Sequence, residues 1–266
     1  TADWRKQNPD VEPATELLTR IRTERRHHWE QSELAKYEAK GKQPPKGWQD
    51  KYKEPEAISE GECSDLSALP DGWCWIRFAD ICTVQGGFAF KSKDYTDDGV
   101  PLIRIGDLND GAVTIDESTA RLPSDFLEQQ PQFLLNSGDV LIAMSGATTG
   151  KMAVFDCNEG ALLNQRVGRF LPHAAEVIHA PYLRGLVENI VGDIRSRAYG
   201  GAQPNISPTE IASTVVAFPP RSEQVQIAEL LRDSRSAVSA VENECVESES
   251  ALTQLDQSIL AKAFRG

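Results

Sequence analysis

Long apolar runs are missing from this chain. No stretch approaches the ~18 uninterrupted apolar residues a membrane-spanning helix needs, and apolar residues make up only 40% of its 266. Both argue against a membrane partner. Cysteine is scarce: Cys63, Cys74, Cys82, Cys157 and Cys245 are an odd set with no C-x-x-C pair. That excludes a disulfide framework or zinc ribbon and leads to the expectation of a reduced, cytoplasmic protein. The four histidines, His27, His28, His173 and His179, lack metal-ligand spacing. The Asp/Asn-Pro-Pro-Tyr of an amino-methyltransferase is absent; the Pro-Pro pairs lie in Gln43–Lys46 and Phe218–Arg221. No nucleophile has a base beside it in sequence. Catalysis, metal and cofactor are therefore not expected. A signal-peptide pattern is also lacking, and a start at Thr1 leads to the expectation that an initiator Met or an upstream region is missing.

Positive charge is short as well: 28 Lys and Arg stand against 40 Asp and Glu, a net −12. Residues 1–60 balance at 12 and 12, residues 61–220 carry 11 basic and 20 acidic, and residues 221–266 carry 5 and 8. Acidity of this kind argues against nucleic-acid binding.

What the sequence does have is a long uninterrupted C-terminal segment. After Pro219-Pro220-Arg221-Ser222 no Gly or Pro occurs until Gly266. Ser222 is expected to cap, and Glu223 complements the positive helix end. Residues 222–264 predict one helix of ~65 Å. Leu231, Val238, Cys245, Leu252 and Ile259 recur every seven residues, with Ile227, Val241 and Leu255 at the alternate step. This is a coiled-coil seam interrupted by Ser234, Ser248 and Lys262. A narrow stripe on so long a rod needs a second helix, from this chain or another.

Upstream, residues 1–12 read as irregular and 13–40 as a helix with Ala14, Leu17, Leu18 and Ile21 on one side. Leu18 and Ile21 are assigned to the interface with the C-terminal rod. Residues 41–60 read as an extended linker. From Leu66 to Pro219 short apolar runs are bounded by Gly, Asp, Asn and Pro, predicting strands at 74–78, 81–85, 101–106, 112–115, 138–143, 151–155, 161–170 and 214–218. Two helices interrupt them. One starts at Pro181; the other starts at Ser207-Pro208, with Glu210 placed to close a capping box. The fold class is α+β: a β-rich domain at 62–219, flanked by a helix and linker at 1–61 and a coiled-coil helix at 220–266.

Ser145-Gly-Ala-Thr-Thr-Gly-Lys151 fails as a phosphate loop, because Ser145 replaces the first Gly and Met152 the final hydroxyl. It reads equally as a plain turn or as one presenting backbone N–H groups, Ser145, Thr148, Thr149 and Lys151 to an anion. Gly86-Gly87 precedes Lys91 and Lys93. Arg195, Arg197 and Tyr199 precede Gly200-Gly-Ala-Gln-Pro-Asn205, where Gln203 and Asn205 could pair with an adenine edge. Gln165 and Arg166 interrupt an apolar strand. Each feature alone also fits a structural role.

In this order, Leu69-Pro-Asp-Gly-Trp73, Gly86-Gly87, Pro101-Leu-Ile-Arg-Ile-Gly-Asp-Leu108, Gly138–Ile142 with Ser145-Gly146 and Gly150-Lys151, Ala202–Ser207, and Pro219-Pro-x-x-Glu-Gln224-x-x-Ile227 resemble the specificity subunits of Type I restriction–modification systems. The resemblance covers essentially the whole chain. It implies a target recognition domain at about 62–219 and a C-terminal helix packed antiparallel on a spacer helix. It also implies double-stranded DNA, modification (methyltransferase) subunits and restriction subunits as partners, with no catalytic centre in the chain. A full subunit has two recognition domains and this chain has one, so it is a fragment or a half-subunit. A half-subunit would form a homodimer through its helices. The DNA contacts so implied are Lys91, Lys93, Ser145, Thr148, Lys151, Gln165, Arg166, Arg195, Arg197, Tyr199, Gln203 and Asn205. Arg104 and Asn164 fit a fold-holding role equally well. The acids Asp94, Asp97, Asp98, Asp107, Asp110, Asp116 and Glu117 are then expected on the opposite side. Competing readings are an acidic DNA mimic of the antirestriction kind and a fragment of a fused methyltransferase.

Overall fold

A computed structural model describes residues 1–109, 111–198 and 206–264. Helices α1 (Ala2–Gln7), α2 (Ala14–Glu38) and α3 (Glu60–Ser64) lead into β1 (Cys74–Arg77), β2 (Cys82–Gly86), β3 (Val100–Ile103), β4 (Leu108–Asn109) and β5 (Gly111–Val113). Next come β6 (Arg121–Leu122), α4 (Asp125–Gln129), β7 (Leu134–Leu135), β8 (Asp139–Ala143), β9 (Met152–Phe155), β10 (Ala161–Leu163) and β11 (Val167–Pro172). The chain ends with α5 (Ala180–Ala198), α6 (Pro208–Ser213), β12 (Val215–Phe218) and α7 (Arg221–Ala263). It is a mixed α and β protein, with a β-rich body and one long terminal helix.

Among the described residues the strands form three sheets, in the orders β1-β12, β6-β3-β10-β7 and β2-β11-β8-β9-β5-β4. Strand side chains alternate between the two faces of a sheet, and this sets the layers. Ile142 and Phe170 face a core shared with α2 and α5. Their neighbours Leu141, Ala143 and Val167 join Ile103, Leu135 and Phe155 in a second core. Helix α5 buries Leu183, Val187, Ile190, Val191 and Ile194, the stripe its 3.6-residue spacing predicts. At α6 the Ser207 hydroxyl accepts the Thr209 N–H (3.2 Å).

Helix α2 departs from expectation. Leu18 and Ile21 do not form a seam with α7. They are buried with Ala14 and Leu17 in the core containing Ile76, Phe78 and Ile81, and Arg22 fastens the helix to Asp80 (2.8 Å). An apolar face four residues long matches the side of a globular domain, and residues already covered cannot serve a second helix. The linker is folded back on α2 rather than extended throughout: Trp48 stacks on Trp29 with ring centres 5.8 Å apart, and Tyr52 lies 5.3 Å from the same ring. Arg77 holds its far end through the Glu56 carbonyl (2.9 Å) and the Glu62 carboxylate (2.8 Å). Residues 2–7, read as irregular, are α1.

Helix α7 is continuous for 43 residues, but Pro220 and not Ser222 occupies its N-cap. The two residues after Ser222 do the anchoring. Glu223 is fully buried; it accepts the Trp73 indole N–H (2.7 Å) and pairs with Arg5. Gln224, also fully buried, accepts the His179 N–H (3.0 Å) and donates to the Pro219 carbonyl (3.1 Å). Ile227 packs on the domain core, and Leu231 meets α5 at Gly185. Beyond them Val238, Val241, Leu252, Leu255 and Ile259 are each more than half exposed. The distal seam is uncovered among the described residues.

His173 is held neutral by its surroundings. Burial, reinforced by the Arg25 guanidinium, brings its pKa down to about 4, while the ring meets the Ala79 carbonyl at 3.1 Å. A base whose folded-state pKa is depressed contributes stability above its unfolded value near 6.5 and loses it as pH falls toward the folded value. The unfolded chain takes up the proton first. Between pH 7 and pH 5 this group should cost about 2 kcal/mol of stability. Urea denaturation of the parent and of His173→Gln at both pH values measures it: the parent should lose more than the variant. Equal losses would show an ordinary histidine.

Candidate nucleic-acid interface

The run 161–170, read as one strand, is two. Strand β10 pairs with β3 and β7 in the four-stranded sheet, whereas β11 pairs with β2 and β8 in the six-stranded one. Asn164–Arg166 is the corner between them. Asn164 is buried; its N–H donates to the Ile103 carbonyl (3.1 Å) and its side-chain oxygen accepts the Arg166 N–H (3.3 Å). Asn164 therefore holds the fold, while Gln165 and Arg166 project from the bend, exposed.

Three further segments converge on that corner. Gly87 lies against it so closely that a Cβ would stand 2.3 Å from the Leu163 carbonyl oxygen and 2.4 Å from that of Asn164. Only glycine permits the approach, and it brings exposed Lys91 and Lys93 to the rim. The β8–β9 turn is tied on by the Met144 N–H to the Arg166 carbonyl (2.9 Å), which places Ser145, Thr148 and Lys151 there. Gly150, at φ +81°, leaves room for the stem of Arg195 from α5; a Cβ would lie 2.5 Å from its Cδ. Lys91, Lys93, Ser145, Thr148, Lys151, Gln165, Arg166 and Arg195 thus gather at one end of the domain. Tyr199, Gln203, Asn205 and the Arg197 side chain lie outside the described residues.

The second half of the β8–β9 turn uses its own donors. The N–H groups of Thr149, Gly150 and Lys151 donate to the carbonyls of Gly146, Ala143 and Thr148, and the Thr149 hydroxyl donates to the Gly146 carbonyl (2.7 Å). A tight turn consumes its own donors. The hydroxyl of Thr148 is buried without a partner.

A recess of roughly 430 Å³ opens at the corner, lined by Phe90, Ser92, Tyr95, Arg104, Ile105, Gly106 and Asn164–Arg166. Ser92 and Tyr95 escaped the sequence reading, which offers no local pattern for them. Separation of the acids holds only in part. Asp94 shares the Ser92–Asp94 turn with Lys93. Asp107 closes the Arg104 turn, buried, accepting the Arg104 N–H at 2.7 Å. Burial pushes its carboxyl pKa upward, against the pull of Arg104.

Charge pairing is uneven across the surface. Arg5, Arg20, Arg22, Arg25, Arg26, Arg77, Arg104, Arg121, Arg169, Arg184, Arg232 and Arg235 each lie within 4 Å of a carboxylate. Arg166, Arg195 and Arg221 have no such partner among the described residues; Arg221 stands at the start of α7, Arg166 and Arg195 on the loop end. Arginines left unpaired in an acidic protein, on one loop surface, suit an external anion.

The sequence model of the Type I restriction modification DNA specificity domain matches residues 70–246. The chain belongs to that family. Among similar proteins, the specificity subunit of the Type I restriction enzyme MjaVIII from Methanocaldococcus jannaschii is 26% identical over 208 residues, covering 76% of this chain and 48% of the relative. That of EcoAI from Escherichia coli is 28% identical over 225 residues, covering 83% and 35%. This specificity-domain chain therefore spans half or less of the length of those relatives. Its fold is similar to a solved structure described as the basis of complex assembly and conformational transition of the type I R-M system (TM-score 0.60, 23% identity, 99% of this chain and 59% of that one). It is also similar to the HsdS subunit from Thermoanaerobacter tengcongensis (TM-score 0.56, 24% identity, 76% and 47%).

The matched segment of the specificity domain runs from the Trp73 corner, through the sheets and the recess, into the middle of α7. It includes the loop end on which Arg166 and Arg195 stand. No described helix is long and apolar enough to cross a membrane.

Proposed function

We propose that this chain is a sequence-specific DNA-binding specificity subunit, or half of one, that directs modification and restriction subunits to a bipartite target. Residues 62–219 act as the recognition domain, between a helix and linker at 1–61 and the rod at 220–266. The chain contributes no catalysis and works in the cytoplasm. Its loop end meets duplex DNA, with phosphate contacts setting the register and base contacts carrying the sequence. The observation that carries this reading is the pair Arg166 and Arg195, lacking acidic partners on the loop end of an acidic family member. The uncovered seam of α7 receives a helix from a second copy or from the remainder of a longer subunit. Tyr199, Gln203, Asn205 and Arg197 stay candidate contacts beside those already gathered.

Binding to random duplex DNA, followed across salt concentrations, tests the reading. Log affinity should fall linearly with log salt, by about 0.9 per phosphate neutralised. A chain carrying Lys91→Ala, Lys93→Ala, Arg166→Ala and Arg195→Ala should lose about 3.6 units of that slope if all four meet phosphate. An acidic DNA mimic would show no retention on duplex at any salt, and that result would overturn the proposal.

A further inference from the structure

The recess beside Asn164–Arg166 differs from the surrounding lysines in what its groups can do. Lys91 and Lys93 are exposed ammonium groups on flexible stems; they sense charge and carry little geometry. Arg104 is a planar fork held from behind. Its Nη2 donates to the Ser118 carbonyl (3.3 Å), its Nε lies 3.9 Å from the Asp107 carboxylate, and its side chain is 40% exposed. Nε itself is buried without a hydrogen-bond partner. Asp107 sits beneath the turn, so it orients the guanidinium without presenting a carboxylate to an incoming anion. Opposite Arg104 stand Gln165 and Arg166, and Phe90 and Tyr95 supply an apolar wall. Nothing is built out from Gly106, where a Cβ would meet no atom within 4 Å.

Base reading needs such groups: paired donors whose direction is set before the base arrives, in a concavity that admits an edge and excludes the backbone. We infer that this recess is a base-reading subsite and that Arg104 recognises a guanine through its O6 and N7 acceptors, with Gln165 and Arg166 at its margin. An arginine fork matches those two acceptors, whereas the donor-only guanidinium has nothing to offer the exocyclic amino group of adenine or cytosine. Lys91, Lys93 and Arg195 then take phosphates. The inference rests on the DNA-binding reading above and adds which residue sorts bases within it.

The test is selection of sites from a randomised duplex library by the full chain, with its cognate modification subunit, in four forms: parent, Arg104→Ala, Arg104→Lys, and Lys91→Ala with Lys93→Ala. The parent should enrich a site containing a required guanine. Arg104→Lys keeps the charge and removes the fork; it should lose preference at that one position by about ten- to a hundred-fold, while holding random duplex nearly as well as the parent. Arg104→Ala should do the same. The lysine pair should weaken all sequences alike and leave the selected site unchanged. In a cross-check, 7-deazaguanine at that position removes N7: it should weaken the parent and leave Arg104→Lys unaffected. If the parent binds and selects a site but Arg104→Ala selects the same guanine as strongly, the inference fails alone. If the parent shows no salt-dependent retention on duplex, the DNA-binding reading fails with it.

Discussion

Arg169→Met should destabilise this protein by about 3–5 kcal/mol, moving its urea midpoint down by roughly 1–2 M. Arg169 is 6% exposed on β11, between β2 and β8 in the six-stranded sheet. Its guanidinium donates to Gln85 Oε1 of β2 (2.6 Å), to Asp139 Oδ2 of β8 (2.9 Å), to the Leu134 carbonyl of β7 (2.6 Å) and to the Gln132 carbonyl (3.0 Å). Two of those acceptors belong to the six-stranded sheet and one to the four-stranded sheet, so one side chain fastens the layers together. Without it, among the described residues the Asp139 carboxylate keeps only the Asn136 N–H (2.9 Å), the Gln132 carbonyl keeps only the Gln85 amide (3.1 Å), and Gln85 Oε1 loses its guanidinium donor. A buried charge deprived of its partner is among the costliest of single changes. Adding Asp139→Asn to the same chain should recover part of the loss by removing the orphaned charge. A midpoint within about 0.3 M of the parent for Arg169→Met would show that the network is solvated and contributes little.

The second large effect is expected at the root of the rod. Glu223→Ala should cost about 2–4 kcal/mol, because the Trp73 indole N–H and Arg5 converge on a carboxylate with no exposed surface. Arg5 also lies 5.9 Å from the centre of the Trp73 ring, so one buried group ties α1, the entry to β1 and the first turn of α7. Glu223→Gln retains an acceptor for Trp73 and should lose about half as much. Hydrogen exchange offers a local readout: amides of 221–232 should open sooner in Glu223→Ala, while those of β8 and β11 change only as global stability does. Unchanged protection across 221–232 would mean that Gln224 and Ile227 hold the rod unaided. Since α7 makes its contact with the body through these first turns, the direction in which the uncovered seam points depends on them.

Much of the fold was legible because local chemistry repeats. The stripe of α5, the Ser207-capped start of α6 with Pro208 in its first turn and the heptad spacing of α7 are short-range patterns that a helix must obey, and strand runs such as 139–143 and 152–155 emerged within a residue or so. The arrangement of the candidate interface was not legible in the sequence. Gln165 and Arg166 stood out as polar residues in an apolar run; that they mark a corner between two sheets depends on β2 and β3, well upstream of the bend, and on β8, nearer in sequence but still outside the local pattern. Ser92 and Tyr95 carry no local mark of the recess they line. Glu223 looked like a dipole partner at a helix start and proved to be a buried anchor for two residues far away in sequence.

The order of residues by itself determined the α+β class, the long terminal helix and its apolar seam. These follow from periodicity, glycine and proline placement and charge, which act over a few residues. Only the tertiary structure decided that Leu18 and Ile21 belong to the body, that the β8–β9 turn uses the N–H groups of Thr149, Gly150 and Lys151 internally, and that Arg104, Gln165 and Arg166 share one recess. Which apolar face is covered, and which donor is satisfied, depends on what the rest of the chain brings alongside, and no local pattern contains that.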